Sequence, residues 1–458
     1  MKNRRLWIAL AAVVLLCCCC LPGLLFAGLI VLNGPGDAQP VVYDVTMEAF
    51  AAPPVGAIPD SQLKQMSEIE TQVKQLRGVE LTEEPLRVVL TPPEFEQRIT
   101  EQFDAARSAQ WLTEETTVLS LLGLLPKDAD LRDLFLRLYA DPMPSYYDMR
   151  TGELVLLNVR SFNGPQRMAY AREFTHFLQD QRYDLLDGLN LNDTDCLKEP
   201  QTCAAVNALV QGDAALTEQQ WYFGYATEQD RQQLRDGNDN RMPDMTGVPP
   251  FMAEDLFFPY REGLKFVQTV YDQDGWAGVE RLYRKPPVST EQILHPERYP
   301  ADAPLDVDLP DLKDVLGGDW QEVRRQSLGE WYLYLLLAFA DKPTWRVAQM
   351  DAQQATDGWG GDQYVLLHHA QTGRKILVWV SEWDSAMDAD EFLTTFKAYG
   401  LKRWQTPLYQ SKDQLWWADT ADGSVRIWAK SGYVGLVIAP DEELAAGVVK
   451  FLESEFLP

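Results

Sequence analysis

The chain has 458 residues, of which 46% are hydrophobic and 24% charged. Such a composition is globular, offers material for a large core and two or three domains, and excludes wholesale disorder. The formal net charge is −27, and a surface that acidic argues against nucleic acid as a partner and against electrostatic docking on anionic lipid.

Three of the positive charges, Lys2, Arg4 and Arg5, precede an uncharged run from Leu6 to Leu32. A run of that length predicts a single-pass transmembrane signal anchor in residues 1–33, crossing the membrane through 6–32. The basic flank orients the body to the extracytoplasmic side. A cleaved signal peptide is the alternative. Residues 34–60, with Gly34-Pro35-Gly36 and Ala51-Ala52-Pro53-Pro54, read as a linker.

Ser61 to Arg77 predicts a polar helix and Leu86 to Leu90 a short strand. Thr91-Pro92-Pro93-Glu94 then starts a helix, with Thr as cap and Pro in the first turn. Helical patterns follow over 95–108, 113–125 and 128–139. Tyr146 to Leu157 predicts a β-hairpin around Arg150-Thr151-Gly152. Further helices are expected over 166–185 and 204–223, with mostly helical chain to 285 and a Pro-rich irregular stretch over 286–318. A helical stretch is then expected from about Trp320 to Ala340. From about Trp345 onward, β-prone runs such as Ile376-Leu377-Val378-Trp379-Val380 alternate with two helices, 389–399 and 441–456. The fold class is therefore α+β. A mostly helical domain over 61–340 precedes a C-terminal α+β domain over 341–458 with a mainly antiparallel sheet.

Cys196 and Cys203 are the two cysteines outside the apolar run. In an oxidising compartment they close a small loop worth roughly 2.5 kcal/mol, and no further cysteine completes a thiolate metal site.

The helix over 166–185 carries Ala171-Arg172-Glu173-Phe174-Thr175-His176-Phe177-Leu178-Gln179-Asp180-Gln181. A zinc-peptidase helix reads His-Glu-x-x-His, with two histidines one turn apart on the metal and the glutamate as general base. Glu173 and His176 match, but Arg172 occupies the first ligand position, and a guanidinium has no lone pair to give. With its hairpin and its Leu-Gln-Asp-Gln continuation, the string resembles the active-site helix of bacterial membrane-associated zincin-type (gluzincin-like) metallopeptidases.

The resemblance extends to Leu209-Val210-Gln211-Gly212-Asp213-Ala214, where such peptidases carry the third ligand in Glu-Gly-(Asp/Glu)-Ala, and to Pro287-Val288-Ser289-Thr290-Glu291-Gln292-Ile293-Leu294-His295-Pro296. It implies a zincin-like fold at a bacterial cell membrane, with Arg172, His176 and Gln211 at vestigial zinc-ligand positions and Glu173 as a vestigial general base. One surviving ligand cannot hold zinc, because structural and catalytic sites use at least three. Asp213 and Glu218 are the candidates to replace Gln211, and Arg172 is a candidate internal cation, donating to Glu173, Asp213 or Gln211. His295 is a candidate for orienting a loop near the cleft.

Other motifs are weaker. Adjacent strand positions send His368 and His369 to opposite faces. The stretch from Asp236 to Asn240 starts like a calcium loop but lacks its sixth-position glycine. Gly358 to Asp362 lacks phosphate-loop spacing and reads as a tight turn into a strand. Eight of the 14 tryptophans follow residue 340; core filling is the favoured role, with a sugar-binding platform as the rival. One of Trp416 and Trp417 must face outward.

The sequence thus predicts a non-catalytic, peptidase-derived protein that needs no cofactor and binds a peptide or protein partner in its cleft. The rivals are an active metallopeptidase holding zinc with unusual ligands, and a glycan- or wall-binding module built on the C-terminal tryptophans.

Overall fold

The computed structural model describes residues 58–81, 83–139, 145–157, 162–236 and 245–456. The chain enters the described fold through α1 (Asp60–Arg77), which runs to β1 (Leu86–Leu90) and α2 (Pro92–Ala106). Thr91 caps α2 in a full capping box with Glu94, as its Thr-Pro-Pro-Glu start requires. Helices α3 (Ala109–Leu122) and α4 (Leu131–Tyr139) follow, then the hairpin of β2 (Ser145–Asp148) and β3 (Glu153–Leu157). Gly152 turns it with φ +69°, a conformation that costs a glycine little. β3 is the middle strand of a three-stranded sheet, antiparallel to β2 and parallel to β1.

Helix α5 (Gly164–Tyr183) lies against this sheet, its Asn163 cap and Gln166 forming a second capping box. Short α6 (Asp193–Lys198) leads into α7 (Pro200–Gly224), and the Cys196–Cys203 disulfide ties the two together. After α8 (Glu228–Arg235), the long α9 (Pro250–Arg284) packs along α7. Their backbones touch: a Cβ on Gly212 would strike the Gly263 carbonyl oxygen, and one on Gly263 the carbonyl of Ala208. Only glycine permits that approach. Short α10 (Thr290–Leu294) and α11 (Lys313–Leu316) punctuate the Pro-rich stretch.

The segment expected to be one helix from Trp320 to Ala340 is instead β4 (Trp320–Gln326) followed by α12 (Gly329–Ala338). The break has a cause. Gly329 adopts φ +71°, and the buried Asp362 accepts the backbone N–H groups of Leu328 and Gly329 at 2.8 and 2.9 Å. The indole N–H groups of Trp359 and Trp379 donate to the same carboxylate. Asp362 therefore anchors the start of α12, a role its glycine-rich turn did not disclose.

After α13 (Gln349–Thr356) come β5 (Trp359–His369), β6 (Lys375–Trp383), α14 (Ala386–Trp404), β7 (Leu408–Gln410), β8 (Gln414–Thr420), β9 (Gly423–Lys430), β10 (Tyr433–Ala439) and α15 (Glu442–Phe456). The seven strands form one sheet in the order β4-β5-β6-β10-β9-β8-β7, antiparallel throughout. Its interior strand β6 is apolar without interruption from Ile376 to Val380 because both faces are covered. Leu377 and Trp379 join the core shared with α14 and the helical region, whereas Ile376, Val378 and Val380 meet Ala445, Val448 and Leu452 of α15. The mixed α+β class with an antiparallel C-terminal sheet is thus as the sequence predicts, though the sheet starts at Trp320, ahead of position 341.

No helix among the described residues is long and apolar enough to cross a membrane. The transmembrane helix expected at 6–32 is therefore no part of the described fold; that stretch, like the linker up to residue 57, lies outside the described residues.

Candidate functional site

The residues of the α5 motif sit where α5 crosses α7 beneath the edge strand β2. Glu173 is buried, and its two oxygens have separate donors. The backbone N–H of Tyr147 on β2 donates to Oε2 at 3.0 Å, and Arg172 Nε donates to Oε1 at 3.0 Å. Across the gap, Arg172 Nη1 lies 3.9 Å from Glu218 Oε2 on α7. Burial would lower the Arg172 pKa, but Glu218 and Glu173 together outweigh it and hold the guanidinium firmly charged. For Glu218 burial dominates and raises the carboxyl above its usual range, since the attraction of Arg172 falls short of cancelling it and Glu173 adds repulsion. Tyr260 of α9 lies within electrostatic reach of all three.

His176, one turn beyond Arg172, is also buried. Its Nδ1 lies 2.8 Å from Gln179 Oε1. Gln179 Nε2 is committed as a donor to Val210 O, Asp213 Oδ2 and Tyr283 OH, so the oxygen faces the ring and Nδ1 carries the hydrogen. In the neutral ring the lone pair is then on Nε2, which makes no hydrogen bond among the described residues. Gln211 is half-buried on α7, and its amide makes none either.

Asp213 has a different fate. It is fully buried and receives both ends of the Arg77 guanidinium, Nη1 to Oδ1 at 2.7 Å and Nη2 to Oδ2 at 3.1 Å. Tyr283 OH donates to it at 2.7 Å, and Arg77 also lies 4.1 Å over the Trp276 ring. With its lone pairs so committed, Asp213 is unable to replace the third zinc ligand, and it does not receive Arg172 as expected. That cation goes to Glu173 and Glu218.

The residues present do not fit zinc. Arg172 offers no lone pair, Gln211 a neutral amide, and Glu218 is engaged with Arg172. Among the described residues, the set of three potential metal-ligating side chains that converges is Glu291, Asp302 and Asp384, which includes neither His176 nor Glu218. Burial, Glu330 and Asp302 push Glu291 up to about 8 against the pull of Arg298.

His295 stands with that second group. Its Nε2 lies 2.9 Å from Glu330 Oε1, which ties the end of α10 to α12. Burial lowers its pKa, but Glu330 prevails and the net shift is upward. Among the described residues, His368 and His369 belong to no converging group of potential metal ligands. The stretch from Asp236 to Asn240 lies largely outside the described residues.

The C-terminal tryptophans mostly fill the core. Trp359, Trp379, Trp417 and Trp428 are fully buried. Trp416 faces outward, stacked on the exposed Tyr409 at 5.6 Å with Arg426 4.9 Å above its ring.

Two contributors to the site escape a sequence reading. Gln179 lies in the Leu-Gln-Asp-Gln string itself, so the motif contained the signal. Arg77 carries none, because it comes from a helix 136 residues away.

Residues 315–449 match a family described as a domain of unknown function, DUF8575. The match takes in all seven strands of the sheet and half of α15, and leaves the α5–α7 crossing outside. Comparison with curated proteins and with solved structures returns no match.

Proposed function

We propose that the protein is a non-catalytic relative of the zincin-type peptidases that holds a peptide or protein partner in the inherited cleft. One observation carries the reading: Arg172 stands at the first ligand position and turns to Glu173 and Glu218, supplying from within the chain the positive charge that a metal would bring. Without a metal, Glu173 has no activated water to deprotonate. The Arg77–Asp213–Gln179–His176 network meanwhile keeps the walls of the cleft in place. The Cys196–Cys203 disulfide supports an oxidising compartment.

Metal analysis of the purified full chain tests this. Wild type is expected to hold no stoichiometric zinc, and the double variant Arg172→His with Gln211→Glu to acquire it. Near-stoichiometric zinc in wild type that disappears in His176→Ala would overturn the proposal.

A further inference from the structure

Helices α13 and α14 pack against each other on the C-terminal region, and the surface between them carries charge and apolar groups that the fold leaves unused. A groove of about 320 Å³ runs there, lined among others by Asp351 and Gln354 of α13 and by Met387, Asp390, Glu391 and Thr394 of α14. On α14 these positions follow the three- and four-residue steps that keep side chains on one helix face. Another face of the same helix is committed to the core through Phe392, Phe396 and Tyr399.

The carboxylates of the groove have no counter-charge. Among the described residues, Asp351, Asp390 and Glu391 form neither an ion pair nor a side-chain hydrogen bond. No basic side chain lines the groove, and α13 contains none. On α14, Lys402 and Arg403 stand in the last turn, and Lys397 is engaged with Gln410 Oε1 at 2.7 Å. Beside this acidic lining, apolar side chains stand in solvent. Met387 is 69% exposed and Met350 is 79% exposed, which makes them the two most exposed large hydrophobic side chains among the described residues. Met350 lies one turn before Gln354 on α13, and therefore on the same face.

Flexible thioethers adapt to partners of varied shape, and exposed apolar side chains rimmed by polar groups mark interaction sites. Three unpaired carboxylates set the sign of what can dock beside them. A second copy of this chain is a poor occupant, because each copy carries a net charge of −27.

We propose that the α13–α14 groove docks a basic amphipathic segment of a partner protein. Its lysines or arginines face Asp351, Asp390 and Glu391, and its apolar side chains seat against Met387 and Met350. The groove lies within the matched residues 315–449 and shares no residue with the α5–α7 crossing, so the two sites stand or fall separately.

Fluorescence anisotropy with the full chain tests this, using three labelled peptides. One is three tandem copies of Leu-Lys-Lys-Leu; the second replaces its leucines by serine, and the third its lysines by glutamate. The leucine–lysine peptide is expected to saturate at one per chain and to bind roughly tenfold tighter than the serine–lysine peptide, with no binding of the glutamate peptide. Asp390→Asn with Glu391→Gln should weaken it about fivefold or more, and Met350→Ser with Met387→Ser likewise. Glu96→Gln with Asp128→Asn removes the same charge from exposed positions elsewhere and should change the affinity by less than about twofold. Equal weakening by the two charge-removing pairs would assign binding to the net charge of the surface and overturn the proposal. Equal affinity for the leucine and serine peptides would do the same. A dimer in sedimentation that Met350→Ser with Met387→Ser dissociates would give the groove to a second copy and also overturn it. The altered groove residues face solvent wholly or in part, so each variant should melt as wild type does. Should one pair not fold, the other pair and the wild-type peptide contrast decide.

Discussion

Two arginine–carboxylate groups lie on either side of the α5–α7 crossing, and they differ in how completely they are satisfied. Arg77 grips Asp213 with two hydrogen bonds, while Tyr283 and Gln179 close the remaining directions. Arg172 has one close bond, to its neighbour Glu173, and stands 3.9 Å from Glu218. The side chains of the first pair are 6% and 0% exposed, whereas that of Arg172 is 22% exposed. A buried, saturated network fixes geometry and has nothing left to offer a ligand. The looser group is less saturated and more exposed, which leaves it freer to exchange partners.

The comparison can be broken most sharply at its rigid side. Asp213→Ala strands the Arg77 guanidinium in the core and should cost about 3–5 kcal/mol by chemical denaturation. A loss below ~1 kcal/mol would mean that the network is no anchor.

A pH titration extends the contrast to the acidic group around α10. The folded pKa of Glu291 is raised from 4.5 to about 8, so its protonated form favours the fold. That contribution is complete below about pH 4.5 and is lost as pH rises through about 8. Wild-type stability should therefore fall by up to about 4 kcal/mol between pH 5 and pH 9, the pull of Arg298 being already contained in the shift. Glu291→Gln should flatten the slope.

Arg172→Ala is expected to cost less than Asp213→Ala, about 1–2 kcal/mol, because the site is partly open to solvent. Its loss leaves Glu173 facing Glu218, whose carboxyl is already raised by burial, so the destabilisation should grow as pH rises and Glu218 ionises. An unchanged melting temperature would sink the internal-cation reading. The smallest effect is expected on the sheet surface: Trp416→Ala should stay within ~0.5 kcal/mol of wild type, because the half-exposed ring stacks on the exposed Tyr409 and lies under Arg426.

Much of this architecture was legible because local signals and tertiary context agreed. The Thr91 capping box, the Gly152 turn and the two-faced apolar run of β6 each announce their own structure. The alternation that sends Trp417 inward and Trp416 outward was equally readable. The segment Trp320-Gln-Glu-Val-Arg-Arg-Gln was not. Its charged side chains show no clear period of two, and it becomes an edge strand because β5 supplies the hydrogen-bonding partner. At the site, it is the resemblance to zincin-type peptidases that singles out Arg172 and Gln211, since neither residue marks a ligand position by itself. Where Asp213 would turn could not be read, because its partner Arg77 reaches it from another part of the chain.

The glycine contact between α7 and α9 bears on how such a site can change over time. Gly212 stands between Gln211 and Asp213, and its close approach to Gly263 fixes the height and rotation of α7 through main-chain atoms alone. The side chain at 211 can therefore be exchanged without moving the helix that carries it. A carboxylate can give way to an amide at 211, and on this scaffold the step is as short in reverse.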